Sequence, residues 1–320
     1  MKNLKEWEDV LRTLCKKGEI ENATRILELL QRDFNEEEIA LLREAAIKNK
    51  DTELKNALIK MGLVEDPIEL SVSILKEEAK MYHTIGQSFR YLLQENPEKR
   101  KELMKAGEEI LKIAVASGNY SGAKKLAEVL GRELQEDELE TILKVSLEKG
   151  RLSDVEEITM KLNRMLTLDE VKVLIKAIRE KWWFDIEANV AVKRLLLRLS
   201  FVPKEKVLKS RKILETAILT SRCTWLKISM IKGLVVNRVK IPKSIVKKVL
   251  KEALDNGVDY QDVKFLVEEV LERTLKPSEI KKLLKAKSKK GDVEGMIEII
   301  KAHPEISPTK ADLRRLCKAI

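Results

Sequence analysis

The chain has 320 residues, with 63 Lys and Arg against 53 Asp and Glu, a formal charge of +10 and only 2 His. Apolar types make up 44% and aromatics 4%, with 12 Gly and 7 Pro. This composition excludes collagen-like and low-complexity chains, and the length calls for two domains or an elongated array.

The first segment, LKEWEDVLRTLCKK, sets apolar residues at Leu4, Trp7, Val10, Leu11 and Leu14. That is one stripe at three- and four-residue steps, and it predicts a helix. Nearly every later segment keeps the same period. SFVPKEKV and NRVKIPKS are short breaks, each with a proline that ends one helix before the next. The expected fold class is all-α. The opening MKNLKEWEDV lacks the apolar core of a secretory signal, and no apolar run reaches the ~20 residues of a bilayer span. Cys15, Cys223 and Cys317 are odd in number and far apart, forming neither a disulfide framework nor a CxxC knuckle. A reducing, cytoplasmic compartment is therefore expected.

Three stretches align without gaps: CKKGEIENATRILELL, VASGNYSGAKKLAEVL and LEKGRLSDVEEITMKL. Each predicts a helix, a turn at Gly18, Gly118 or Gly150, and a second helix with a packing residue five places on, at Ala23, Ala123 or Val155. Further turns fit at Lys50, Gly86, Trp182, near Ser221, and at Gly257 and Gly291. Eight and four residues before these turns most positions are apolar, a face that one hairpin cannot bury alone. The expectation is a right-handed α-solenoid of about nine helix-turn-helix repeats. About five repeats fall in residues 1–160; about four, with a polar-faced capping helix at KADLRRLCKAI, fall in 161–320.

The stretch LRTLCKKGEIENATRILELL resembles the pentatricopeptide pattern, a first helix ending in Leu-Cys-Lys-x-Gly that leads to Ala five residues on. GNYSGAKKLAEVL is similar to tetratricopeptide repeats in its Gly-to-Ala spacing, without their aromatic positions. The pentatricopeptide resemblance implies single-stranded RNA as partner, with phosphates met by Lys17, Lys149, Lys181 and Lys290. The family's base-reading positions match only at Thr141, whose companion is Glu136, so a one-base-per-repeat code is not expected. The tetratricopeptide resemblance implies a scaffold for protein partners.

Catalytic signatures are missing: GxxxxGK[ST], GxGxxG, HExxH and GxSxG do not occur. His83 and His303 have no Cys or His at ligand spacing, and His83 reads as a packed structural side chain. No enzyme, cofactor, metal or small-molecule substrate is expected.

Charge divides unevenly. Residues 1–160 carry 26 basic against 33 acidic residues, or −7, and residues 161–320 carry 37 against 20, or +17. Between 172 and 251 the count is 21 against 5. Equivalent helix positions align three basic stripes: Lys172, Lys176 and Arg179; Lys243, Lys247 and Lys251; and Lys281, Lys285 and Lys289. Trp182 is the aromatic expected beside them, whereas Trp225, in TWLKISMIKGLVV, reads as buried. A non-catalytic helical-repeat protein follows, expected to grip RNA or a ribonucleoprotein through its basic half while the acidic half meets a protein. The competing reading is a tetratricopeptide-like protein-protein scaffold that takes an acidic partner in the same basic surface.

Overall fold

The computed structural model describes residues 4–181 and 185–319, and these contain helices and no strand. The chain forms two compact units, Met1–Val145 and Ser146–Ile320. The first holds α1 (Leu4–Lys17), α2 (Ile20–Leu30), α3 (Glu36–Asn49), α4 (Thr52–Lys60), α5 (Pro67–Glu78), α6 (Ile85–Glu95), α7 (Arg100–Ala116) and α8 (Tyr120–Val129). The unit boundary falls inside α9 (Glu136–Lys149). The second unit continues with α10 (Leu152–Lys161), α11 (Leu168–Lys181), α12 (Asp185–Leu197), α13 (Lys204–Lys209), α14 (Arg211–Leu219) and α15 (Thr224–Val236). It closes with α16 (Lys243–Asp255), α17 (Tyr260–Lys264), a π-helical Phe265–Val270, α18 (Pro277–Lys290), α19 (Val293–Ala302) and α20 (Lys310–Ala319).

Turn chemistry explains the paired helices. Gly118 closes α7 at φ 70°, in the left-handed region that glycine enters without strain. The Asn119 N–H then reaches back to the Ala114 carbonyl at 2.9 Å, and the Gly118 N–H to that of Val115 at 2.9 Å. These two bonds satisfy carbonyls that the helix end would otherwise leave unpaired. Gly18, Gly150 and Gly291, and also Lys50, take the same left-handed conformation. The apolar register holds at most of these positions, since Leu42, Ile110, Ile142, Val249 and Leu283, eight residues before their turns, are buried. Val10, eight before Gly18, is exposed, and its neighbour Leu11 is buried instead.

One turn lies elsewhere. Gly86 is buried inside α6, where a Cβ would stand 2.8 Å from the Lys125 backbone. The chain reverses earlier, between Glu78 and Ile85, which moves the local register by three residues. Leu75 and Ala79 are the buried positions there, and His83 is exposed rather than packed. In 203–240 the first helix of the pair is broken at Ser210, whose extended backbone separates α13 from α14, and Ser221 lies in the turn to α15.

The connections between pairs carry a second recurring device. An Arg is followed six residues later by a Glu in the first turn of the next helix: Arg32 and Glu38, Arg132 and Glu138, Arg164 and Glu170, Arg273 and Glu279. In each case the guanidinium also donates to the carbonyl of the residue after it, and the Glu accepts the backbone N–H three residues before itself. The residue before each Arg (Gln31, Gly131, Asn163, Glu272) is left-handed. One ion pair thus caps the entering helix and ties down the loop.

Within the first unit α1 packs on α3, α3 on α5, α5 on α7, and α6 on α8. Within the second, α11 packs on α14, α14 on α16, α16 on α18, and α18 on α20, while α12 lies against α15 and α17 against α19. None of the helices is long and apolar enough to cross a membrane, among the described residues.

Candidate nucleic-acid interface

In α16 the residues Ile245, Val246, Val249, Leu250, Ala253 and Leu254 are buried. That packing leaves Lys243, Lys247 and Lys251 exposed at four-residue steps, about 6 Å apart along the axis. The neighbouring α18 buries Ile280, Leu283 and Leu284 and exposes Lys281, Lys285 and Lys289. Between the two helices runs a groove of about 650 Å³ whose lining includes Leu250, Leu254 and Leu271. Six cationic side chains line it: Lys243, Lys247, Lys251, Arg273, Lys276 and Lys282.

Only one carboxylate, Glu279, lines the groove, and its oxygens are taken by Arg273 at 2.7 and 2.9 Å and by the Lys276 N–H at 3.0 Å. Lys282 meets Asp255 at 2.7 Å, and Lys243 meets Glu272 at 3.3 Å. Lys282 holds the Asp255 carboxyl below the usual range, with smaller contributions from Lys251 and Lys289. Neither Lys247 nor Lys251 makes an ion pair among the described residues, and Lys251 acts on Asp255 only from a longer distance, so both charges are available to a ligand.

No protein-family model matches the chain, and no curated protein is similar to it in sequence. The interface therefore rests on its own geometry.

The helices α16 and α18 are in contact, and the α16 stripe lines the groove between them. Lys281, Lys285 and Lys289 are exposed on α18 outside its lining, to which α18 contributes Lys282 instead. Lys172 and Lys176 are exposed on α11, Lys176 within 3.7 Å of Glu180, and α11 joins the same row through α14. Arg179 departs from its stripe. It is only 3% exposed and donates from Nη2 to Asn189 Oδ1 and to the Ala217 carbonyl, both at 2.8 Å. The last turn of α11 is covered by α12 and α14, and burial pushes the Arg179 pKa down. Trp182 lies outside the described residues. Trp225 is half exposed rather than buried, because the face of α15 that carries it has no covering helix among the described residues.

Arg211 is a further cation at an equivalent position. With its turn at Ser221, the α13–α14 pair places Arg211 ten residues ahead, where the equivalent helices have Lys172, Lys247 and Lys281. Arg211 is exposed at the start of α14, and Lys248 of α16 pairs with Glu215 one turn further on. The broken helix hid this match by disrupting the period.

Chemically the groove offers ammonium and guanidinium donors around an apolar floor. Such an arrangement suits phosphates or carboxylates that carry apolar groups alongside.

Proposed function

We propose that the protein is a non-catalytic helical-repeat binding protein whose second unit grips RNA, free or in a ribonucleoprotein, through the phosphate backbone. The observation that carries this reading is the α16–α18 groove, lined by six cations of which Lys247, Lys251 and Lys276 make no ion pair with a carboxylate among the described residues. Phosphate contacts position a strand without reading its sequence, which fits the mismatch at the base-reading positions. In this proposal the helix pairs stack as a right-handed α-solenoid of about nine repeats. The succession of first helices packed on one another, α1–α3–α5–α7 and α11–α14–α16–α18, supports that stacking within each unit.

The apolar floor at Leu250, Leu254 and Leu271 favours a second reading, a scaffold that takes an acidic peptide. Anisotropy of a labelled single-stranded RNA 20-mer, titrated across salt, separates the two. The wild-type affinity falls steeply with salt, and K247E/K251E/K285E lowers the logarithmic slope by about 2. Absence of RNA binding at low salt, or a variant slope equal to wild type, overturns the RNA reading.

A further inference from the structure

We infer that the face shared by α12 and α15 docks an amphipathic, acidic helix of a partner protein. This surface is separate from the α16–α18 groove and does not depend on the RNA reading.

In α15, TWLKISMIKGLVV, apolar residues fall around the whole circumference, and its two lysines, Lys227 and Lys232, are ion-paired to Glu252 and Asp262. A helix of that kind is ordinarily buried on every side. Here Leu226, Ile228, Met230, Ile231 and Leu234 are buried, yet Trp225 is 50% and Val236 81% exposed. On α12, which packs beside it, Ile186 and Val190 stand one turn apart and are 57% and 61% exposed. Lys193 Nζ ties the helices together by donating to Ser229 Oγ at 3.0 Å.

Between the helices lies a depression of about 360 Å³, lined by Val190 and Leu197 and by Gly233, which adds no side chain of its own. Its rim is Lys193, Arg194 and Arg198. No carboxylate lines it, α15 has none, and α12 has none after Glu187. Burial pushes the Lys193 pKa down, with Arg179 adding to the shift, so this ammonium gains from an arriving negative charge. Arg194 meets Glu156 at 3.4 Å, its one ion-pair partner among the described residues.

An occupant must bring apolar side chains for the depression and carboxylates for the rim. An amphipathic helix supplies both from one face, at steps of three and four residues. The patch exposes Ile186, Val190 and Val236 beside Trp225, an apolar area that the aliphatic face of an amphipathic helix covers and a phosphate backbone does not. Protein is the class this surface fits.

The test uses the full-length protein and a fluorescein-labelled 18-residue helical peptide with Leu on one face and Glu on the other. The expected result is saturable binding, weakened at least tenfold in V190D/V236D and in R194E/R198E and unchanged within twofold in K247E/K251E. All four α12–α15 positions are exposed, so these variants keep the helical circular-dichroism spectrum. Three results overturn the inference: peptide binding within twofold of wild type in both α12–α15 variants, equal binding of a peptide with the Leu face replaced by Ser, or displacement of the peptide from this face by single-stranded RNA.

Discussion

Arg132 and Glu138 lie side by side in the connection from α8 to α9, Nη1 to Oε2 at 2.9 Å and Nη2 to Oε1 at 2.8 Å. Glu108 of α7 accepts from the same guanidinium at 2.8 and 3.0 Å, so one Arg joins three segments of the first unit. The Arg32 cluster repeats this arrangement with Glu8 and Glu38. At Arg273 the residue 24 places earlier is Val249, and the pair with Glu279 stands without the third member.

The consequence for stability is direct. Glu138→Ala removes the bidentate partner of Arg132 and the acceptor of the Gln135 N–H at once. The expected cost is about 2 kcal/mol. Urea unfolding should show a lower midpoint at unchanged slope; a midpoint equal to wild type would mean that the staple is idle.

These carboxylates also set an acid limit. Arg132 holds Glu138 below the usual carboxylate range, and Arg273 does the same for Glu279. A folded-state pKa depressed below the unfolded value of about 4.3 adds stability that is complete above that value. It is lost as pH falls through the depressed folded-state pKa. Between pH 6 and pH 3 the wild type should therefore lose more stability than R132M or R273M, measured by urea unfolding at each pH. Parallel losses in all three proteins contradict the assignment.

Two glycines separate conformation from packing. Gly118 and Gly131 share a left-handed backbone, at φ 70° and 76°. A Cβ at Gly118 would stand 2.4 Å from Val145 Cγ1, whereas at Gly131 nothing lies within 4 Å. Gly131→Ala should cost about 1 kcal/mol, from the backbone alone. Gly118→Ala should cost about 3 kcal/mol, because the β-branched Val145 cannot swing away. Equal melting-temperature shifts for the two variants would refute the close approach.

Thiol reactivity provides a probe of the core. Cys15 is fully buried, and its pKa is pushed up to about 11, chiefly by desolvation and further by Glu38. Cys317 is exposed on α20. Iodoacetamide at neutral pH should label Cys317 within minutes and leave Cys15 untouched until the protein unfolds, as read by peptide mass. Early labelling of Cys15 would show that the α1–α3 packing opens readily.

Periodicity alone determined the all-helical class, the turns at Gly18, Lys50, Gly118, Gly150, Gly257 and Gly291, and the exposed positions of Lys176, Lys251 and Lys285. Each follows from local rules: a three-to-four-residue apolar spacing marks the buried stripe, and a left-handed residue ends a helix. The tertiary structure decided what those rules cannot reach. Arg179 shares its helix face with Lys172, yet α12 and α14 close over the last turn of α11 and bury it. Trp225 sits in an apolar helix, yet no neighbour covers its side among the described residues. Gly86 fits the turn spacing, yet it lies inside α6 because α8 approaches it through Lys125. The groove brings Lys243, Lys247 and Lys251 together with Arg273, Lys276 and Lys282 because α16 packs on α18. Burial and electrostatic surroundings depend on which helix lies alongside, and that is a property of long-range packing rather than of the spacing along one chain segment.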